Sequence, residues 1–125
     1  MPERRIRIAA GQATVHARLN DSSTADLVWD KLPIQASANT WGDEIYFEIP
    51  VAAAAAEDAD PVVPMGAVAY WPPGRAMCLF FGPTPVSRGR EIRAASAVNL
   101  IGSIEGDPAV LRTVRGGSPI TIERA

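Results

Sequence analysis

Apolar and polar residues alternate along much of this chain, and the alternation predicts short strands. The clearest runs from Glu44 to Ile49: Ile45, Phe47 and Ile49 fall on one side of an extended chain, and Glu44, Tyr46 and Glu48 on the other. Arg5 to Ala9 and Ala13 to Leu19 flank Gly11-Gln12 and read as a hairpin. In the second of these, Val15, Ala17 and Leu19 share one face and Thr14, His16 and Arg18 the wet one. Ile34 to Ala38 alternates in the same way. Asn39 to Asp43 then reads as a turn, and Pro50 ends the strand after it.

Ala67 to Trp71 and Ala76 to Phe81 flank Pro72-Pro73-Gly74-Arg75, a strong turn signal. The run 76 to 81 is apolar on both faces, which predicts a central strand covered on both sides. Val98 to Ile104 and Ile120 to Glu123 are further strands, and Ser87 to Arg93 reads as a polar loop. Two stretches read as helix. Ala25, Val28, Trp29 and Leu32 recur at one-face helical spacing after the capping candidates Asn20 to Ser23, with Pro33 as the stop. Asp107 caps a second short helix through Val114, with Pro108 at its first position. The alanine run 52 to 56 lacks apolar anchors, so an extended tail and an acidic loop over Glu57 to Pro61 are expected there. About eight short strands and two helices fit a barrel or a sandwich better than a βαβ fold.

Composition narrows the function classes. The 125 residues suffice for a single domain, 1–125, with one hydrophobic core, and 47% are hydrophobic. A formal net charge of -2 gives no electrostatic argument for nucleic acid. Arg4, Arg5 and Arg7 cluster near the start, where a frayed, solvated terminus is expected. The apolar stretch that follows is too short for a signal peptide, and no segment has the roughly 18 apolar residues needed to cross a bilayer. A cytoplasmic protein without membrane or nucleic-acid partners is the expectation. The single cysteine, Cys78, excludes an intrachain disulfide and sits in an apolar run, where a free Cys behaves as a small buried hydrophobe.

Several stretches together resemble the small prokaryotic cyclophilin-like proteins, a family distinct from the true cyclophilins. They are Leu19-Asn20-Asp21, Trp29, Leu32-Pro33, Trp41-Gly42-Asp43-Glu44-Ile45-Tyr46-Phe47, Ala69-Tyr70-Trp71-Pro72-Pro73-Gly74 and Phe80-Phe81-Gly82-Pro83-Thr84-Pro85. The resemblance covers nearly the whole chain in order. It implies an all-β fold: a closed eight-stranded cyclophilin-like barrel with two short helices over its ends. It implies no settled biochemical role. True cyclophilins are peptidyl-prolyl isomerases with an Arg in a Phe-His-Arg stretch and a Gln-Gly-Gly-Asp type segment. The only His here, His16, stands before Ala17-Arg18 without a preceding Phe, so no isomerase residue carries over.

The candidate chemistry is correspondingly narrow. One His and one Cys supply no typical metal site, and phosphate-binding Gly-rich loops and the Gly-x-Ser-x-Gly turn are absent; no metal or cofactor is expected. Asp43 and Glu44 would point to opposite faces of a strand and cannot share a substrate, and Glu44 and Glu48 lie roughly 13 Å apart at strand spacing. Asp43 reads instead as closing the turn after Gly42. Arg88, Arg90 and Arg93 read as a solvated loop. The aromatic residues cluster, and Trp41 sits in a turn while Tyr46 shares its strand face with two glutamates. Aromatic bodies beside polar tips line small-molecule and peptide grooves. Asn39, Trp41, Glu44, Tyr46 and Tyr70 are therefore the expected ligand-binding residues, for a small molecule or a peptide segment. Two other readings stand beside this one. One is an isomerase with a non-standard site, for which Arg75 is the conceivable arginine. The other is a structural role, with strand 76 to 81 forming a homo-oligomer interface.

Overall fold

The computed structural model describes residues 4–125 and consists of ten strands, one α-helix and two 3-10 helices. The strands are β1 (Arg4–Ala10), β2 (Ala13–Leu19), β3 (Ile34–Ser37), β4 (Asn39–Thr40), β5 (Glu44–Glu48), β6 (Asp60–Val63), β7 (Ala67–Trp71), β8 (Ala76–Phe80), β9 (Ile92–Ile104) and β10 (Pro119–Arg124). The helix α1 spans Ser23–Lys31, and 3-10 helices span Pro72–Gly74 and Pro108–Thr113. The strands pair in the order β3-β10-β1-β2-β9-β7-β8-β5-β4, with β6 added on β9.

This order corrects the expected all-β closed eight-stranded barrel with two short helices: the fold is mixed, with ten strands, and its sheet is not closed. The ladder ends at β3 on one side and β4 on the other, and no ladder joins them. These two are neighbours in the chain, separated only by Ala38, so the sheet curls until its ends meet covalently. β4 has only two residues, both exposed, and spends its pairing on β5. The expected second helix is a 3-10 helix, although Asp107 does cap it by accepting from Ala109 N–H at 2.9 Å.

Local signals placed α1 well. The Ser22 hydroxyl accepts from Ala25 N–H, Asp26 sits in the first turn and Lys31 in the last, as the helix dipole favours. Ala25 and Val28 are buried against the sheet, and Trp29 is half-covered by the Arg124 guanidinium, 4.4 Å from its ring. The basic start is not a frayed terminus. Arg4, Arg5 and Arg7 belong to β1 and pair with Asp26, Glu105 and Glu123 respectively.

Segments β5, β8, β7 and the end of β9 form the part of the sheet that matters for the site. One face carries Ile45, Phe47, Val68, Tyr70, Met77, Leu79 and Ile101 into the main core. The other carries Ala67, Ala69, Cys78 and Phe80, and is roofed by Val63 of β6 and by Ile92, Ala94 and Val98 of β9. β9 can do this because it is thirteen residues long; its first half pairs with β6 and its second with β7 and β2. Because β9 begins at Ile92 and β6 at Asp60, the loops expected over 87–93 and 57–61 are shorter than the residue pattern predicts. All five residues of β8 are buried by their own chain, so this strand offers no surface for the expected oligomer interface.

Candidate functional site

The turn between β4 and β5 builds one wall of a cavity. Gly42 takes a left-handed φ of +61°, and a Cβ there would stand 2.8 Å from Pro85 Cδ, so only glycine fits. The turn is anchored by Asp43 N–H to Pro83 O at 3.0 Å, Phe81 N–H to Asp43 O at 2.9 Å and Arg112 Nη1 to the Asp43 carboxylate at 3.1 Å. Asp43 thus closes the turn, as expected. Trp41 N–H donates to Glu44 O at 2.9 Å, which holds the indole at the mouth of the outer sheet face.

On that face β5 presents Glu44 and Tyr46, with Tyr46 opposite Cys78 and Glu44 opposite Phe80 in the antiparallel register. Trp71, at the end of β7, closes the opposite side. Its ring packs on Gly74, where a Cβ would come within 2.6 Å of Cζ3, and its Nε1 donates to Ser96 Oγ at 2.7 Å. Ala94, Ala95 and Val98 of β9 complete the lining. The result is a cavity of about 290 Å³ walled by Trp41, Tyr46 and Trp71, with Glu44 and Cys78 as its ionisable groups besides the tyrosine.

Glu44 is the unusual member. It is only 5% exposed and takes part in no described ion pair. Burial pushes its carboxyl up to about 7, against the smaller opposing effect of a hydrogen bond with the Cys78 thiol. The thiol is raised in turn by its own burial, and further by the Glu44 charge and their shared hydrogen bond. Cys78 is therefore a neutral thiol at physiological pH and a poor nucleophile. Glu44, by contrast, exchanges a proton near neutrality, where a general acid or base works best.

The five expected ligand-binding residues separate. Trp41, Glu44 and Tyr46 line the one cavity. Asn39 stands beside it on exposed β4, its Nδ2 donating to Tyr46 O at 3.3 Å, and so braces the wall from outside. Tyr70 lies on the opposite sheet face, fully buried; its hydroxyl donates to Val51 O at 2.6 Å and accepts from Ala53 N–H at 3.2 Å. Opposite it in the β7–β9 register, buried Asn99 bonds Ala54 O, Ala56 N–H and the Thr24 hydroxyl. Together the two side chains hold down the alanine segment 52–56, which forms neither helix nor strand. Trp71, Cys78 and the β9 residues were missed as lining. Alternation within 67–71 and 76–81 assigns each residue a side, but not which side faces a cavity.

His16 is half-buried on the wet face of β2 and its ring has no described partner in the site. Among the described residues no group of three His, Cys, Asp or Glu is placed to hold a metal ion, and no helix is long and apolar enough to cross a membrane.

No curated protein matches this chain. Among solved structures, the hypothetical protein AF2241 from Archaeoglobus fulgidus is 45% identical and superposes with a TM-score of 0.85, covering 98% of this chain and 95% of that one. McbB, solved in complex with tryptophan, is 17% identical with a TM-score of 0.70; the match covers 95% of this chain but 44% of McbB, and shows a shared fold. The cyclophilin-like family model matches residues 4–123, nearly the full length. The chain thus belongs to the cyclophilin-like family, as a small prokaryotic member distinct from the true cyclophilins.

Proposed function

We propose that this protein binds a small organic molecule in the cavity between Trp41 and Trp71. The observation that carries the reading is Glu44: a nearly buried carboxyl with no cationic partner among the described residues, on the wall of an otherwise aromatic and apolar cavity. Leaving an ionisable group in such a place costs stability, and groups so perturbed concentrate at functional sites. The three rings supply contact area at little conformational cost, and the carboxyl supplies the one polar contact that orients a ligand. A volume of about 290 Å³ suits a compact molecule better than an extended peptide.

Nothing comparable favours an isomerase. Arg75 lies outside this cavity, beside Ala52, Ala53, Ala54, Tyr70 and Pro72 in a separate shallow depression. Screening small fragments at millimolar concentration by NMR tests the binding reading. Hits should shift the indole N–H signals of Trp41 and Trp71 while leaving that of Trp29 in place. A screen in which no fragment moves Trp41 or Trp71 would remove it.

A further inference from the structure

The chemistry of the cavity narrows the ligand class, on the assumption that the cavity is a ligand site. Three aromatic side chains line it, Trp41 before β5, Tyr46 on β5 and Trp71 at the end of β7. Aromatic faces carry negative potential and attract cations, tryptophan most strongly. Glu44 adds a carboxyl on the same wall, and no arginine or lysine lines the cavity to neutralise it. An anionic ligand would meet four groups of the wrong polarity and no donor of positive charge. A cation would meet all four favourably, and would supply a counter-charge to Glu44, which takes part in no ion pair among the described residues.

We propose that the cavity takes an organic ammonium carried on an apolar body, with the cation held by the Glu44 carboxylate among the rings of Trp41, Tyr46 and Trp71. A zwitterionic amino acid is disfavoured, because its carboxylate would be desolvated without a cation to receive it. The ammonium can come from a free amine or from a lysyl side chain of another polypeptide, and the same contacts serve both.

Binding is coupled to protonation. The titratable groups facing Glu44 are Cys78 from β8 and Tyr46 from β5, while the lining residues of β7 and β9 (Trp71, Ala94, Ala95 and Val98) do not titrate. With its carboxyl near 7 in the empty protein, Glu44 is about half protonated at neutral pH. A cation draws it to the charged form, so each ligand bound at pH 7 releases about half a proton. Below pH 6 the competent carboxylate becomes scarce and affinity falls about tenfold per pH unit. The amine itself stays charged throughout, as lysine does with a pKa of about 10.

The test uses the full chain and five probes: 2-phenylethylamine, 2-phenylethanol, 3-phenylpropionate, phenylalanine and N-acetyl-lysinamide. Calorimetry in buffers of different ionisation enthalpy should show the amine or the lysyl probe binding at least tenfold more tightly than the alcohol, with proton release. Which of the two binds more tightly assigns the source. Phenylpropionate and phenylalanine should bind more weakly than the alcohol. Glu44→Gln should abolish the amine's advantage over the alcohol, and the wild-type pH profile provides the same test without a variant. If the alcohol or the acid binds as well as the amine at Trp41 and Trp71, the ammonium class is wrong while the cavity remains a ligand site. If none of the five moves those indoles, the ammonium proposal falls, and the fragment screen then decides the site itself.

Discussion

The two faces of the sheet formed by β5, β8 and β7 are built from alternate residues of the same strands, yet they do opposite things. Ile45, Phe47, Met77, Leu79 and Tyr70 point into the main core, where each is fully buried among apolar neighbours. Glu44, Tyr46, Cys78 and Trp71 point the other way, under a thin roof made by β6 and the first half of β9. The inner face is covered by the rest of the curled sheet and by α1, enough material to fill it. The outer face is covered by short side chains such as Ala94, Ala95 and Val98, and these leave a cavity. A step of one residue along a strand thus separates packing from a candidate ligand site.

Because of that division, substitutions on the two faces should fail in different ways. The largest effect is expected from Phe47→Ala on the inner face, which removes a fully buried ring. A loss of about 3–5 kcal/mol is expected by denaturant unfolding, and a loss below 1 kcal/mol would mean that the inner face is not close-packed. Next comes Glu44, whose carboxyl rises to about 7 in the folded protein from an ordinary 4.5. Below pH 4.5 it is protonated whether the chain is folded or not, so it costs nothing. Between 4.5 and 7 the unfolded chain loses the proton while the folded one keeps it, so stability falls as pH rises, and the full cost is reached above 7. Glu44→Gln should remove this slope, and at pH 8 the variant should exceed wild type by on the order of 3 kcal/mol. Urea unfolding of both proteins at pH 5 and pH 8 measures it, and parallel pH profiles would show that Glu44 is solvated.

Tyr70→Phe leaves the core volume nearly intact but orphans Val51 O and Ala53 N–H. About 1–3 kcal/mol should be lost, with faster amide exchange confined to 51–56. Gly74→Ala acts on the outer face: its Cβ would displace the Trp71 ring, which is side chain rather than backbone and can move. A cost of about 1–2 kcal/mol is expected, with altered Trp71 fluorescence and weakened binding of any cavity ligand. Smallest is Ser96→Ala, which removes the exposed acceptor of Trp71 Nε1. Stability should change by less than about 1 kcal/mol while the Trp71 indole signal broadens or shifts. A sharp, unmoved signal would mean that Gly74 alone positions the ring.

Much of the local structure was legible in the sequence. Alternation located β1, β2 and β5, the Pro72-Pro73-Gly74-Arg75 turn signal placed β7 and β8 on either side of it, and Ser22, Asp26 and Pro33 framed α1, because strand pleat, turns, helix caps and proline stops act within a few residues. The Trp41-Gly42-Asp43-Glu44 turn and Tyr46 could be picked out for the same reason, with aromatic and polar types alternating on one short stretch. The family likeness was also readable, since its stretches recur in order along the chain.

Other features depend on residues far apart in sequence. Whether the sheet closes rests on β3 and β4 finding separate partners in β10 and β5, which no local pattern encodes. Tyr46 and Trp71 meet Ala94 and Val98 only because β9 bends across β6, and Tyr70 is turned from candidate ligand contact to core hydrogen bonder by the segment 51–53 lying over its hydroxyl. Glu44 shows the difference most clearly. Its position on the polar side of β5 was set by the period of two in the strand, whereas its burial, and with it the displaced carboxyl, came from a roof some fifty residues later in the chain. Side-chain direction is a property of the strand itself, but solvation belongs to whatever the rest of the fold places above it.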